Sequence, residues 1–161
     1  MNLNEIINRL ADSKKFTASV EAKEYLREVK DKPFYLTPEI RHISGEDINA
    51  KFILFSAPGA TGKTALAEYL AYTKKALLWN TAGIQIGTGS FIGSLTKALG
   101  KDKVFDYTDA LKNGESLLIL DAFDEAEVRS GRENVETFLS EIYEYVENQI
   151  YSDKVSVIFL S

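Results

Sequence analysis

The chain has 161 residues, which is enough for one domain with a sizeable hydrophobic core and too few for two domains of ordinary size. Hydrophobic residues make up 45% and charged residues 27%, so the composition is that of a globular protein and excludes a largely disordered one. The net charge of -5 comes without a run of Lys and Arg, so nucleic acid and anionic membranes are unsupported as partners. Cysteine is absent, which excludes disulfides and thiolate sites.

Residues 1–49 are predicted to form a helical lead-in followed by a linker. Apolar residues recur at helical spacing within residues 3–16 and again within residues 20–30, which predicts two amphipathic helices. Pro33 and Pro38 then interrupt the pattern, so we place a domain boundary near residue 50. No stretch has the apolar length of a signal-peptide core or of a membrane-spanning helix, and we expect a cytoplasmic protein.

Residues 50–161 alternate between short apolar runs and helical periodicity, a pattern typical of a parallel sheet covered by crossover helices. The predicted fold class is therefore α/β, with three layers and a mainly parallel sheet. Apolar runs predict strands at residues 52–56, 76–79, 117–120 and 155–160. Helical periodicity predicts helices at residues 63–72, 91–99, 107–112 and 133–151, the last being the longest.

A glycine-containing turn follows the first of these strands. Residues 57–64 read Ala-Pro-Gly-Ala-Thr-Gly-Lys-Thr, which matches the phosphate-binding loop pattern except that Ala57 stands in place of its first glycine. Glycines let the backbone curl until several N–H groups point at phosphate oxygens, and the next helix adds the positive end of its dipole. A tight turn with an exposed lysine is the alternative, but the flanking strand and helix favour phosphate binding.

This loop predicts a site for ATP with Mg²⁺. Lys63 would carry a positive charge to the β and γ phosphates and count among the catalytic residues, while the Thr64 hydroxyl would be a magnesium ligand. The residues predicted to contact the nucleotide are Pro58, Gly59, Ala60, Thr61, Gly62, Lys63, Thr64 and Ala65.

Acidic residues follow the strand predicted at residues 117–120. Asp121 comes at its carboxyl end, where open α/β sheets hold their ligands, and is the predicted second magnesium residue. Asp124 and Glu125 come just after it, and one of them is the predicted general base that polarises water against the γ phosphate. Capping of the next helix is the alternative role. Three neighbouring carboxylates repel one another, so the cluster is better explained beside a bound cation. Its position downstream of a phosphate loop favours the catalytic role.

Together, the loop at residues 57–64, the acidic sequence Asp121-Ala122-Phe123-Asp124-Glu125 and the final strand resemble the NACHT-type division of the signal-transduction (STAND) P-loop ATPases. The resemblance spans about residues 50–161. It implies a P-loop core with ASCE-type strand order that lacks its last strand, a magnesium role for Asp121, and support of hydrolysis by Asp124 or Glu125. It also implies a nucleotide-gated switch that self-associates, in signalling or defence.

Three functions remain open from the sequence. The first is the ATP-binding, ATP-hydrolysing switch, and the second is a small P-loop kinase, which would need a basic lid. The third is an assembly module that binds nucleotide without hydrolysing it. An arginine-bearing segment and a helical lid would follow residue 161 in the family, so we expect a longer parent protein and weak or no turnover from this stretch alone.

Overall fold

The computed structural model describes residues 3–13, 16–33, 52–58, 62–147 and 154–161. These ranges contain a five-stranded sheet, six α-helices and one 3₁₀ helix. The strands are β1 (Leu26–Glu28), β2 (Phe52–Phe55), β3 (Leu77–Asn80), β4 (Leu118–Asp121) and β5 (Val157–Leu160). The α-helices are α1 (Leu3–Arg9), α2 (Lys63–Lys74), α3 (Ser90–Leu99), α4 (Val104–Lys112), α5 (Phe123–Ser130) and α6 (Arg132–Val146). The 3₁₀ helix spans Glu21–Glu24.

The sheet is mixed but mostly parallel, and the predicted α/β class is confirmed. Its strands lie in the order β1-β3-β4-β5-β2. β2, β5, β4 and β3 run parallel to one another, whereas β1 pairs with β3 in the antiparallel sense. β5, the last strand in the sequence, therefore lies between β2 and β4.

Apolar side chains cover both faces of the sheet, which explains the uninterrupted apolar runs of the central strands. Every residue of β4 and β5 is buried. Leu118 and Leu120 join the cluster formed with α3, α4 and α6, while Ile119 joins the cluster formed with α1 and α2. One layer of helices thus lies on each face. None of the helices in the described ranges is long and apolar enough to cross a membrane.

The helix predicted over residues 20–30 is wrong. This segment forms the short 3₁₀ helix and then β1, in which Leu26 lies opposite Trp79 and is fully buried. The Asn80 N–H also donates to the Tyr25 carbonyl at 2.7 Å. By pairing with β3, β1 satisfies the backbone N–H and C=O groups along that edge of β3, which would be left to water if the segment formed a surface helix. Apolar spacing over so short a run does not distinguish a helix from a strand.

The first helix is real but shorter than residues 3–16, because it ends at Arg9. Beyond it, Leu10 forms a parallel bridge with Val155, and the Val155 N–H donates to the Arg9 carbonyl at 2.8 Å. Leu3, Ile6 and Leu10 are buried in the same cluster as α2. The N-terminal residues therefore contribute directly to the core beneath the sheet.

The helical region after β4 also differs from the prediction. One long helix was expected over residues 133–151, but two helices follow β4, and the second ends at Val146 with Glu147 in an extended conformation. Gly131 separates α5 from α6 with a φ of 84°, a value that L side chains rarely adopt. Its missing side chain lets the chain change direction between the two helices.

Lys75 is a position where the sequence is not optimal for the fold. It ends α2 with a φ of 55°, in the left-handed region that costs a non-glycine residue about 1–2 kcal/mol. Lys75→Gly removes that strain and adds the larger backbone entropy of glycine in the unfolded chain, so we expect a net stabilisation of about 0.5–1 kcal/mol. Urea denaturation measures it. The matched control is Lys97→Gly within α3, where the same change should destabilise by a similar amount; equal effects in both variants would contradict the explanation.

Candidate functional site

The carboxyl ends of the four parallel strands meet at one edge of the sheet. Just beyond β2, the Ala57 N–H donates to the Ser161 carbonyl at 3.1 Å, and the Ser161 N–H donates to the Phe55 carbonyl at 2.9 Å. In the neighbouring pair, Asn80 lies opposite Asp121. This is the edge at which open α/β sheets bind ligands, and it brings together residues from distant parts of the sequence.

The turn into α2 depends on Gly62. This residue precedes the helix with a φ of 86° and no side chain, and its carbonyl accepts the Leu66 N–H at 3.0 Å. The first-turn N–H groups of α2 therefore have no capping side chain from the residue before the helix, and they carry the positive end of the helix dipole. Gly59, Ala60 and Thr61, three of the predicted nucleotide contacts, lie outside the described residues, whereas Pro58 and Ala65 flank the same turn.

Thr64 and Asp121, the two predicted magnesium residues, are in direct contact. The Thr64 hydroxyl donates a 2.8 Å hydrogen bond to Oδ2 of Asp121 across 57 positions of sequence. Asp121 is only 6% exposed, and in the described part of the chain no Lys or Arg forms an ion pair with it. A buried carboxylate with a hydroxyl partner but no cationic one is costly unless another positive charge approaches it.

Lys63 spans the turn at the start of α2. Its Nζ donates to the Ala57 carbonyl at 3.1 Å and lies 3.8 Å from Oδ2 of Asp124. The lysine side chain is mostly buried, while that of Asp124 is about half exposed. The ammonium group is thus held between the beginning of the loop and the first turn of α5.

Asp124 and Glu125 lie in the first turn of α5, which starts immediately after Ala122. Ala122 has a φ of 58°, and its carbonyl accepts the Glu125 N–H at 3.1 Å. Asp121 and Asp124 make different contacts, the first with Thr64 and the second with Lys63. Among the described residues no group of three acidic or histidine side chains is arranged to hold a metal, so the three carboxylates do not form one cation cage.

Thr81 is a supporting residue that the sequence prediction missed. It is fully buried directly after β3, and both its hydroxyl and its N–H donate to the carbonyl oxygen of Asp121, at 2.6 and 3.0 Å. These two bonds hold the peptide group that follows the Asp121 carboxylate. A threonine directly after an apolar strand, at the edge where Asp121 follows β4, is the sequence feature that could have identified it.

No protein-family model matches this chain, and no curated protein matches it.

The contribution of Thr81 can be measured by removing only its hydroxyl. Thr81→Val keeps the shape and the backbone N–H bond but loses a buried hydrogen bond, so we expect a destabilisation of about 1 kcal/mol in urea denaturation. Thr137→Val is the matched control, because that hydroxyl bonds to the Glu133 carbonyl on the exposed face of α6 and its loss should cost less than about 0.5 kcal/mol. An equal or larger loss in the control would contradict the role of Thr81.

Proposed function

We propose that this chain binds ATP together with Mg²⁺ at the edge formed by α2, β4 and α5, and that it is the nucleotide-binding core of a NACHT-like P-loop ATPase. The observation that carries the proposal is the hydrogen bond between Thr64 and the buried Asp121. It joins the residue after the loop lysine to the carboxylate at the end of an apolar strand. Both are the residue types that a magnesium nucleotide needs at those places.

The donor set fits magnesium well. Mg²⁺ prefers oxygen ligands and is usually held by one or two protein groups while it keeps several waters and contacts phosphate oxygens. Thr64 supplies a hydroxyl oxygen and Asp121 a carboxylate. The buried charge of Asp121 lacks a cationic partner among the described residues, and a bound cation would compensate it. When bound, the ion would neutralise charge on the phosphate oxygens.

The phosphate groups would interact with the turn and with Lys63. First-turn N–H groups of α2 and its dipole favour an anion next to Gly62, and the lysine ammonium lies beside the same turn. In its present contacts Lys63 pairs with the carboxylate of Asp124, which therefore competes with any phosphate for the ammonium group. That competition is weak, because Asp124 is about half exposed to water.

Asp124 is the better candidate for the general base. Its carboxylate lies within 4 Å of the Lys63 ammonium, whereas Glu125 is exposed and has no ion pair among the described residues. A base must lie within hydrogen-bond reach of the water whose proton it accepts, and proximity to the phosphate-binding lysine satisfies that condition best for Asp124. Its role would be to accept a proton from water that attacks the γ phosphate.

The wider fold supports a P-loop architecture of this type. β5 lies between β2, which leads into the loop, and β4, which ends in Asp121, and this agrees with an ASCE-type strand order. In a switch of this kind, nucleotide binding favours one arrangement of the elements around the phosphates and hydrolysis releases it. We extend the proposal to nucleotide-gated self-association of a cytoplasmic protein in signalling or defence, as the resemblance to NACHT-type ATPases implies.

Loss of the loop lysine tests nucleotide binding directly. Lys63→Ala removes the ammonium charge next to the turn, so we expect the affinity for a fluorescent ATP analogue to fall at least about tenfold. Lys101→Ala is the matched control, since that lysine is exposed at the start of the turn before α4 and should leave the affinity unchanged. Equal affinities for wild type and Lys63→Ala would refute the site.

A second variant in the same titration separates magnesium from phosphate binding. Asp121→Asn keeps the shape of the side chain but loses its charge, and the difference in affinity with and without Mg²⁺ should then largely disappear. Retention of the full magnesium effect would contradict the assignment of Asp121, even if Lys63→Ala behaves as expected.

The two acidic residues of α5 are separated by comparing affinity with turnover. Asp124→Asn removes the carboxylate that competes for Lys63, so we expect ATP to bind about two- to threefold more tightly, and whatever phosphate release the wild-type protein shows to fall about 100-fold. The matched variant is Glu125→Gln, for which neither value should change substantially. A large loss of turnover in Glu125→Gln alone would transfer the role of base to Glu125.

The behaviour of the wild-type protein with ATP also distinguishes the switch from the assembly module and the kinase. ATP binding with no phosphate release, accompanied by nucleotide-dependent oligomers in sizing chromatography, would favour the non-hydrolysing assembly module. Transfer of phosphate to an acceptor molecule instead of water would favour the kinase.

A further inference from the structure

A second charged surface lies at the opposite end of α2 from the loop. An open groove runs between the last turns of this helix and the segment that follows β1. Lys75 lies twelve residues after Lys63 and eleven after Thr64, a distance of about 18 Å along the helix axis at 1.5 Å per residue. The groove is therefore separate from the proposed nucleotide site.

The groove is basic within an acidic protein. Lys30 and Lys32 line one side and Lys75 the other, and all three side chains are exposed. Among the described residues that line it none is acidic, although the chain as a whole carries a net charge of -5. Lys30 and Lys32 also line the neighbouring depression, together with Lys23, Glu28 and Asp31, and there Arg27 pairs with Glu68 at 3.2 Å. The local excess of positive charge thus favours an anionic partner.

Two aromatic residues line the same groove as these lysines. Tyr69 and Tyr72 are three positions apart on α2, so they share one face of the helix, and both are half-buried along the groove. A groove that combines lysines with flat rings is an arrangement by which proteins bind single strands of nucleic acid, because lysines contact phosphates while bases stack on the rings. An acidic peptide would use the lysines but gain little from the rings.

We propose that this groove binds a short stretch of single-stranded nucleic acid. Lys30, Lys32 and Lys75 contact its phosphates, and Tyr72 supplies a ring on which a base stacks. Binding requires no sequence specificity, since every base has a flat face. The proposal stands independently of nucleotide binding at Lys63, and either can fail without the other.

Fluorescence anisotropy with a labelled oligothymidylate of about ten nucleotides tests this surface across a range of salt concentrations. The variant Lys30→Gln/Lys32→Gln/Lys75→Gln should reduce the slope of log affinity against log salt by about 2, since each lost phosphate contact contributes about 0.7. Tyr72→Leu should weaken binding about tenfold with little change in that slope.

Two controls accompany these variants. Lys97→Gln/Lys101→Gln/Lys103→Gln makes the same change in net charge around the end of α3 and the start of α4, on the other face of the sheet, and should bind like wild type. Lys63→Ala should also bind the oligonucleotide like wild type, which excludes phosphate binding at the loop as the source of the effect. Denaturation curves for each variant confirm that it is folded.

The contrary outcomes are distinct. Absence of oligonucleotide binding by wild type would overturn the proposal, and so would an unchanged salt slope in the variant of the groove lysines. Heparin binding as strong as oligonucleotide binding, with neither weakened by Tyr72→Leu, would overturn the proposal and show a general cationic surface. Stronger binding to vesicles that contain anionic lipid, lost in the same lysine variant, would replace nucleic acid by a membrane.

Discussion

The hydrogen bond from Thr64 to Asp121 is the contact on which the site depends, because it joins the start of α2 to the end of β4. It can form only if the helix lies along that strand, and this packing is provided by Leu66 and Leu70 in the same buried cluster as Ile119. The sheet register then adds Thr81, whose two bonds to the Asp121 carbonyl fix the peptide group beside the carboxylate. A polar contact at the edge thus rests on apolar packing beneath it.

The position of Asp124 depends on the backbone conformation at the two ends of α5. α5 lies between Ala122 and Gly131, both of which have positive φ, so the helix leaves the strand sharply and ends sharply. Its first turn brings Asp124 to the ammonium of Lys63, while Ser130 near its end accepts the Ile86 N–H from the loop after β3. α5 therefore contacts both the proposed phosphate site and the segment leading to α3.

Much of the fold was predictable from local pattern, and the exceptions have physical causes. The apolar runs of β4 and β5 are buried on both faces and have no other stable location, so their assignment as strands was secure. The segment at β1 was assigned wrongly, because its backbone conformation is set by pairing with β3 and not by its own periodicity. No helix was predicted over residues 123–130, because this short segment buries only Phe123 and Ala126, which is too few apolar residues for helical spacing to be recognised.

By itself the sequence determined the class of fold and most of the candidate site, since a loop, a lysine, a hydroxyl and an acidic strand end are properties of short segments. Only the tertiary structure decided which of these groups touch. It placed Asp124 beside Lys63 and revealed Thr81 next to Asp121. It also brought Lys30, Lys32 and Lys75 to one groove with two tyrosines, although no basic run exists in the sequence. These contacts join residues far apart in the chain, and their geometry is set by the packing of helices on the sheet, which local spacing does not encode.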